Sequence, residues 1–133
     1  MPELQSLLKV CENVKEAKKV AKNLGGIHFE GPYINANHKG AQNEAFIRNP
    51  NIDELKEFIK ESGFAVKYIT LAPEKEGAMD FIKYASSHDV VCSAGHTDAS
   101  FDDVEFIFGT AFKEDMQDEM TITVIAAGFG EPK

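Results

Sequence analysis

Residues 65–74, AVKYITLAPE, run from an apolar, β-prone segment, Ala65 to Leu71, directly into a proline and a carboxylate. Val, Tyr, Ile and Thr favour a strand, and Pro73 cannot continue its ladder, so Glu74 stands just past a strand's carboxyl end. The same succession occurs on either side. Ile27 to Phe29 is a short apolar strand followed by Glu30-Gly31-Pro32, and Val90 to Ala94 is followed by Gly95-His96-Thr97.

Helical periodicity fills the intervals. Leu4, Leu7, Leu8, Cys11, Val14, Ala17, Ala21 and Leu24 recur at three- and four-residue steps, which paints one face of a helix from Pro2 to Leu24, stopped by Gly25 and Gly26. Ile52, Leu55, Phe58 and Ile59 mark a second helix closed by Ser62 and Gly63. Met79, Ile82 and Ala85 mark a third within Gly77 to Ser87. Strands separated by helices of this size pair in parallel, so the fold class is α/β and the three strand ends share one edge. In such sheets ligands bind at the carboxyl edge.

After Ser100 the pattern changes. Val104 to Phe112 and Met120 to Phe129 read as two strands of an antiparallel hairpin joined by the acidic loop Lys113 to Glu119, giving a sheet of about five strands. One ambiguity stands at its start. Ser100 followed by Asp103 resembles a helix capping box, with Asp in place of Glu, so SFDDVEFIF could open a helix, whereas EFIF prefers strand.

The 133 residues make a single domain able to bury a core without disulfides. Cys11 and Cys92 sit where small apolar residues sit, and the chain has no secretory signal or membrane span, so a reducing cytoplasmic setting is expected. A net charge of −8 argues against a nucleic-acid partner, which requires a basic surface. The acid excess is uneven: residues 1–101 hold 14 acidic and 12 basic side chains, and residues 102–133 hold 8 and 2.

Glu30 and His96, a carboxylate and an imidazole at strand ends on one edge, are the beginning of a divalent metal site. Plainer roles are open to both: Glu30 as a cap on the loop that follows, His96 as a turn residue bonded to Asp98. His28 reads as a hydrogen-bonded strand residue, His38 and His88 as solvated, and Glu74 as a helix-start acid. No phosphate-cradling glycine loop and no Ser/His/Asp or Cys/His arrangement is present.

GIHFEGPYI with KGAQNEAF, then YITLAPE, then SAGHTDASFDD, resembles N-acetylglucosamine-6-phosphate deacetylase, a metal-dependent TIM-barrel enzyme of the amidohydrolase superfamily. The resemblance covers residues 1 to about 103. It implies a partial barrel in which Glu30 and His96 are metal ligands and the loop Lys39-Gly40-Ala41 touches a sugar phosphate. Gln42 stands where that family carries a substrate-contacting histidine. The family's second metal histidine, in a His-Leu-Phe-Asn-Ala-Met motif, and its catalytic aspartate do not appear in the 133 residues. The run FIFGTAFKEDMQDEMTITVIAAGF is similar instead to the last strand pair of the cell-division GTPase FtsZ.

The expectation that follows is a chimera: residues 1–103 a deacetylase-like segment, residues 104–133 an FtsZ-like strand pair covering its open edge. Such a domain is non-catalytic and requires no cofactor, with an incomplete site at Glu30 and His96 for zinc or iron. Two alternatives accompany it. One is a metal-dependent deacetylase whose substrate contacts are Lys39, Gly40, Ala41 and Gln42. The other is a module that self-assembles through its C-terminal strands, with neither nucleic acid nor membrane as partner.

Overall fold

Helix and strand alternate through the computed structural model, which describes residues 2–111. The elements are α1 (Pro2–Ala17), β1 (Ile27–Glu30), α2 (Ile52–Glu61), β2 (Val66–Leu71), α3 (Ala78–Ser87), β3 (Val91–Ala94) and α4 (Phe101–Ala111), with 3-10 turns at Ala36–His38 and Glu44–Phe46 in the long β1–α2 loop. The three strands pair in parallel in the order β1-β2-β3. Backbone bonds carry the ladder just past the strands, from Gly31 N to Thr70 O and from Gly95 N to Leu71 O. The three polar strand ends therefore lie side by side, as the alternation requires.

Both layers follow from periodicity. Ile27, Phe29, Ile69 and Leu71 share one sheet face and pack with Cys11 of α1, Leu55 and Phe58 of α2, Phe81 and Ile82 of α3, and Val104 and Phe108 of α4. Phe58 and Phe81 are fully buried, with ring centroids 4.9 Å from Phe29 and 5.1 Å from Tyr33. Burial of each such side chain contributes about 1.5–3 kcal/mol. The opposite face carries His28, Glu30, Tyr68 and Val91, all exposed. All four helices thus lie on one side of the sheet. Both cysteines are free thiols, and burial pushes them up, Cys11 to about 11 and Cys92 to about 12.

The expected strand beginning at Val104 is instead helical: residues 101–111 form α4. Ser100 Oγ accepts from Asp103 N at 3.1 Å, and Asp103 Oδ2 accepts from Ser100 N at 3.2 Å. This reciprocal cap satisfies two backbone donors. Val104, Phe108 and Ala111 then fall on one helical stripe and are buried, so packing of that stripe overrides the strand preference of EFIF. The loop Lys113 to Glu119 and the strand expected at Met120 to Phe129 lie outside the described residues; among the described residues the sheet has three strands.

Helix α1 ends at Ala17, seven residues before the expected stop at Leu24. Beyond it the backbone tightens into three-residue bonds, Lys19 N to Glu16 O and Val20 N to Ala17 O, and Lys18 Nζ donates to Leu24 O at 3.0 Å. Among the described residues, no helix is long and apolar enough to cross a membrane.

Candidate functional site

Glu30 is the last residue of β1, and His96 lies two residues past β3. With β2 between these strands, their ends are two places apart along the edge, and the side chains must span β2 to meet. They do. His96 Nε2 and Glu30 Oε1 are in hydrogen-bond contact, with the carboxylate side chain 56% exposed and the imidazole 27%.

The other ring nitrogen fixes the chemistry. His96 Nδ1 donates to the carbonyl of His38 at 2.6 Å. A carbonyl can only accept, so Nδ1 carries a proton and Nε2 is the nitrogen that presents either a second proton or a lone pair to the carboxylate. Desolvation lowers the His96 pKa, but the His38 carbonyl and the Glu30 carboxylate outweigh it and raise the value above the ordinary one. A proton joins the pair as it stands. A divalent cation is the other species that can lie between an imidazole lone pair and a carboxylate.

The donor set is of the right kind but short. Catalytic zinc takes three protein ligands plus water, and among the described residues no group of three or more His, Cys, Asp or Glu is placed to hold an ion. Glu30 and His96 supply two donors.

Around the pair, the β1–α2 loop is tied down residue by residue. Tyr33 and Ile34 are buried, Ala72 N donates to Tyr33 O at 2.8 Å, Asn35 N to His96 O at 2.9 Å and Arg48 N to Pro32 O at 3.1 Å. Asn35 and Asn43 each cap a 3-10 turn through the side-chain oxygen. The sequence-predicted substrate residues fall in this loop. Gly40 lies beside the His96 ring, where a Cβ would make an ordinary contact with Cε1 at 3.8 Å. Gln42 donates to the Glu30 carbonyl at 2.9 Å, Lys39 is half-buried, and Ala41 is exposed. An open depression of about 180 Å³ beside Glu30 is lined by Phe29, Gln42, Asn43 and Phe46 among others.

Two side chains, His96 and Glu74, differ from their sequence reading. His38 is exposed as expected, and it also meets Asp98, whose other oxygen accepts from Asn37 at 3.1 Å. Asp98 therefore serves His38 and not His96. Glu74, expected to begin a helix, faces back across the edge instead. Its carboxylate accepts from the Thr97 hydroxyl, from Asp98 N at 2.8 Å and from Asn35 Nδ2 at 2.9 Å. Its position at a strand end was the available signal. Its partners, 23, 24 and 39 residues away, left no trace in the local sequence. His28 does behave as read: its Nε2 meets Thr70 Oγ1 at 2.8 Å, and Thr70 Oγ1 meets Ser93 Oγ at 2.7 Å.

That chain of bonds makes Gly95 critical. A Cβ there would lie 2.6 Å from Thr70 Cγ2, and Thr70 is β-branched and held from both sides, so it cannot swing away. We expect Gly95→Ala to destabilise the protein by about 1–3 kcal/mol, read as a lowered urea midpoint. A change below about 0.5 kcal/mol would show that Thr70 yields.

Glu74 sets an acid limit. Desolvation raises its pKa, but the three hydrogen bonds prevail and hold the carboxyl below its ordinary value. A depressed folded value means that its contribution is complete above the ordinary value of 4.5 and is lost as pH falls below it. Stability measured downward from pH 5 should therefore fall less steeply in Glu74→Gln than in the wild type. Parallel curves would show that Glu74 adds nothing.

No family model matches the chain. Among curated proteins, it is 34% identical over 85 residues to N-acetylglucosamine-6-phosphate deacetylase of Bacillus subtilis, covering 64% of this chain and 22% of that protein. It is 30% identical over 103 residues to N-acetylgalactosamine-6-phosphate deacetylase of Escherichia coli O157:H7, covering 77% and 27%. Among solved structures, N-acetyl-D-glucosamine-6-phosphate deacetylase of Mycobacterium smegmatis superposes with a TM-score of 0.74 at 27% identity, over 81% of this chain and 30% of that one. The chain thus spans about a quarter of the length of the curated relatives it matches, and the matched segment resembles the N-acetylglucosamine-6-phosphate deacetylase family.

Proposed function

We propose that this chain carries the strand-end portion of a metal-dependent deacetylase site for an N-acetylated amino-sugar 6-phosphate. The observation that supports this reading is the contact between Glu30 and His96 across β2, in a segment similar to deacetylases of N-acetylglucosamine and N-acetylgalactosamine 6-phosphate. A divalent ion such as zinc or iron, when bound, polarises an amide carbonyl and acidifies a water.

The chain's own residues do the rest of what it contributes. The His38 carbonyl holds the His96 ring by its Nδ1 proton and turns Nε2 toward Glu30. Gln42 anchors the loop to the Glu30 carbonyl. Lys39 offers the loop's ammonium to a phosphate, and Gly40 and Ala41, without bulk, let the sugar approach the pair. A third ion ligand comes from outside the described residues, from a second chain or from water.

A second reading is favoured by the two-member donor set: a recombined α/β domain that keeps the pair as a structural clamp and turns over nothing. Acetate release separates the two. Purified protein with zinc and N-acetylglucosamine 6-phosphate should release acetate on the deacetylase reading. No acetate, together with no zinc uptake, leaves the non-catalytic domain.

A further inference from the structure

We propose that Glu74 is a positioning residue, a strut from the end of β2 that holds His96 against Glu30. This rests on the reading of Glu30 and His96 as the ion-holding pair, and it assigns the sequence's third strand-end acid a task of its own.

The geometry is a bridge between two loops. Glu74 follows Ala72 and Pro73 at the centre of the edge, with Ala72 fully buried and bonded to Tyr33 O, so its backbone is anchored. One carboxylate oxygen takes the Thr97 hydroxyl, and the other takes both Asp98 N and Asn35 Nδ2. Thr97 and Asp98 immediately follow His96. Asn35 belongs to the opposite loop, and its own N–H donates to His96 O. Glu74 thereby fixes the chain just after His96 and the loop residue bonded to the His96 carbonyl.

Such fixing is needed. His96 has φ of 50°, a left-handed conformation that a residue with a Cβ holds only where its surroundings over-determine it. Thr97 repeats the pattern locally, its hydroxyl oxygen accepting from Ala99 N at 2.9 Å. Without the strut, the segment 96–98 is free to relax toward ordinary backbone angles, and the imidazole leaves both the His38 carbonyl and Glu30. The carboxylate suits the task because all three of its partners are donors, and a carboxylate only accepts.

The test compares wild type, Glu74→Ala and Glu74→Gln as full chains. In metal-free buffer the Nδ1 proton of His96 is held by the His38 carbonyl. It should be visible by ¹H–¹⁵N NMR of histidine-labelled wild type. In Glu74→Ala it should be lost to exchange with water, while the backbone spectrum of the core persists. Zinc alone should then bind about ten- to a hundred-fold more weakly than to wild type, the loss expected when a group supporting a ligand is removed. Glu74→Gln keeps one acceptor oxygen and should lie between the two. It also decides the question if Glu74→Ala does not fold.

Persistence of the His96 Nδ1 proton signal in both variants, or a signal in a folded Glu74→Gln equal to that of wild type, would overturn the proposal. If wild type takes up no zinc, the ion-holding reading fails, and the Nδ1 proton alone decides the role of Glu74.

Discussion

Zinc uptake is expected to fall by at least about 100-fold in Glu30→Gln and in His96→Asn, more than the loss caused by removing a supporting group. Glu30→Gln keeps the size and a carbonyl oxygen but removes the negative charge that faces Nε2. His96→Asn removes the ring whose orientation the His38 carbonyl sets. Both positions are solvent-accessible at the sheet edge, so neither substitution opens a cavity, and the folded state should survive. His88→Asn is the control: His88 stacks on Tyr84 with ring centroids 4.0 Å apart, beyond the carboxyl end of α3. Calorimetric titration with zinc reads all three. Equal affinity in wild type and both edge variants would remove the metal from this site. Loss in only one would assign the ion to that residue with other partners.

The second large effect is on stability. Glu54→Ala should cost about 3 kcal/mol, the lower end of the range for stranding a buried partner. Glu54 accepts from Arg48 Nε at 3.1 Å at both oxygens and from the Tyr33 hydroxyl at 2.6 Å. Arg48 Nη2 lies 3.1 Å from Oε1 but has no aligned hydrogen-bond partner, so the guanidinium already depends on Glu54 for its charge balance. The side chains are 16% and 11% exposed, which places the cost at the low end. Burial, with the bond to Glu54, also holds the Tyr33 phenol far above its ordinary pKa.

Against a total stability of roughly 5–15 kcal/mol, such a loss shifts the urea midpoint by about 1–3 M. Tyr33→Phe, which removes one hydrogen bond and strands no charge, should cost about 1 kcal/mol. If Glu54→Ala and Tyr33→Phe cost the same, the charge pair contributes nothing beyond the phenol's bond. The network has a reach beyond stability. Arg48 N is bonded to Pro32 O and Tyr33 lies two residues past Gly31, so loosening it frees the loop that carries Lys39 to Gln42.

Much of this was legible in the residues. The helix and strand alternation, the parallel edge and the projection of Glu30 and His96 from it follow from apolar period and from Pro and Gly at strand ends. Those are local rules, and the backbone obeys them locally. The helix at 101–111 was half legible: the Ser100–Asp103 cap was visible in sequence, but the stripe Val104, Phe108, Ala111 counts as helical only once a core exists for it to face. What the sequence could not contain was which distant side chains meet. His38 with Asp98 and Glu74 with Asn35 and Thr97 are pairings across 60, 39 and 23 residues, and they arise because parallel strands bring three loops to one edge.

By itself, then, the sequence determined the α/β order, the strand ends and that Glu30 and His96 stand at two of them, because periodicity and backbone stereochemistry act over a few residues. Only the tertiary structure decided that Glu30 and His96 touch, which His96 nitrogen faces the carboxylate, and that Glu74 bonds to Thr97, Asp98 and Asn35 beside them. Those outcomes depend on hydrogen-bond directions across the edge, and such directions exist only after the chain has folded.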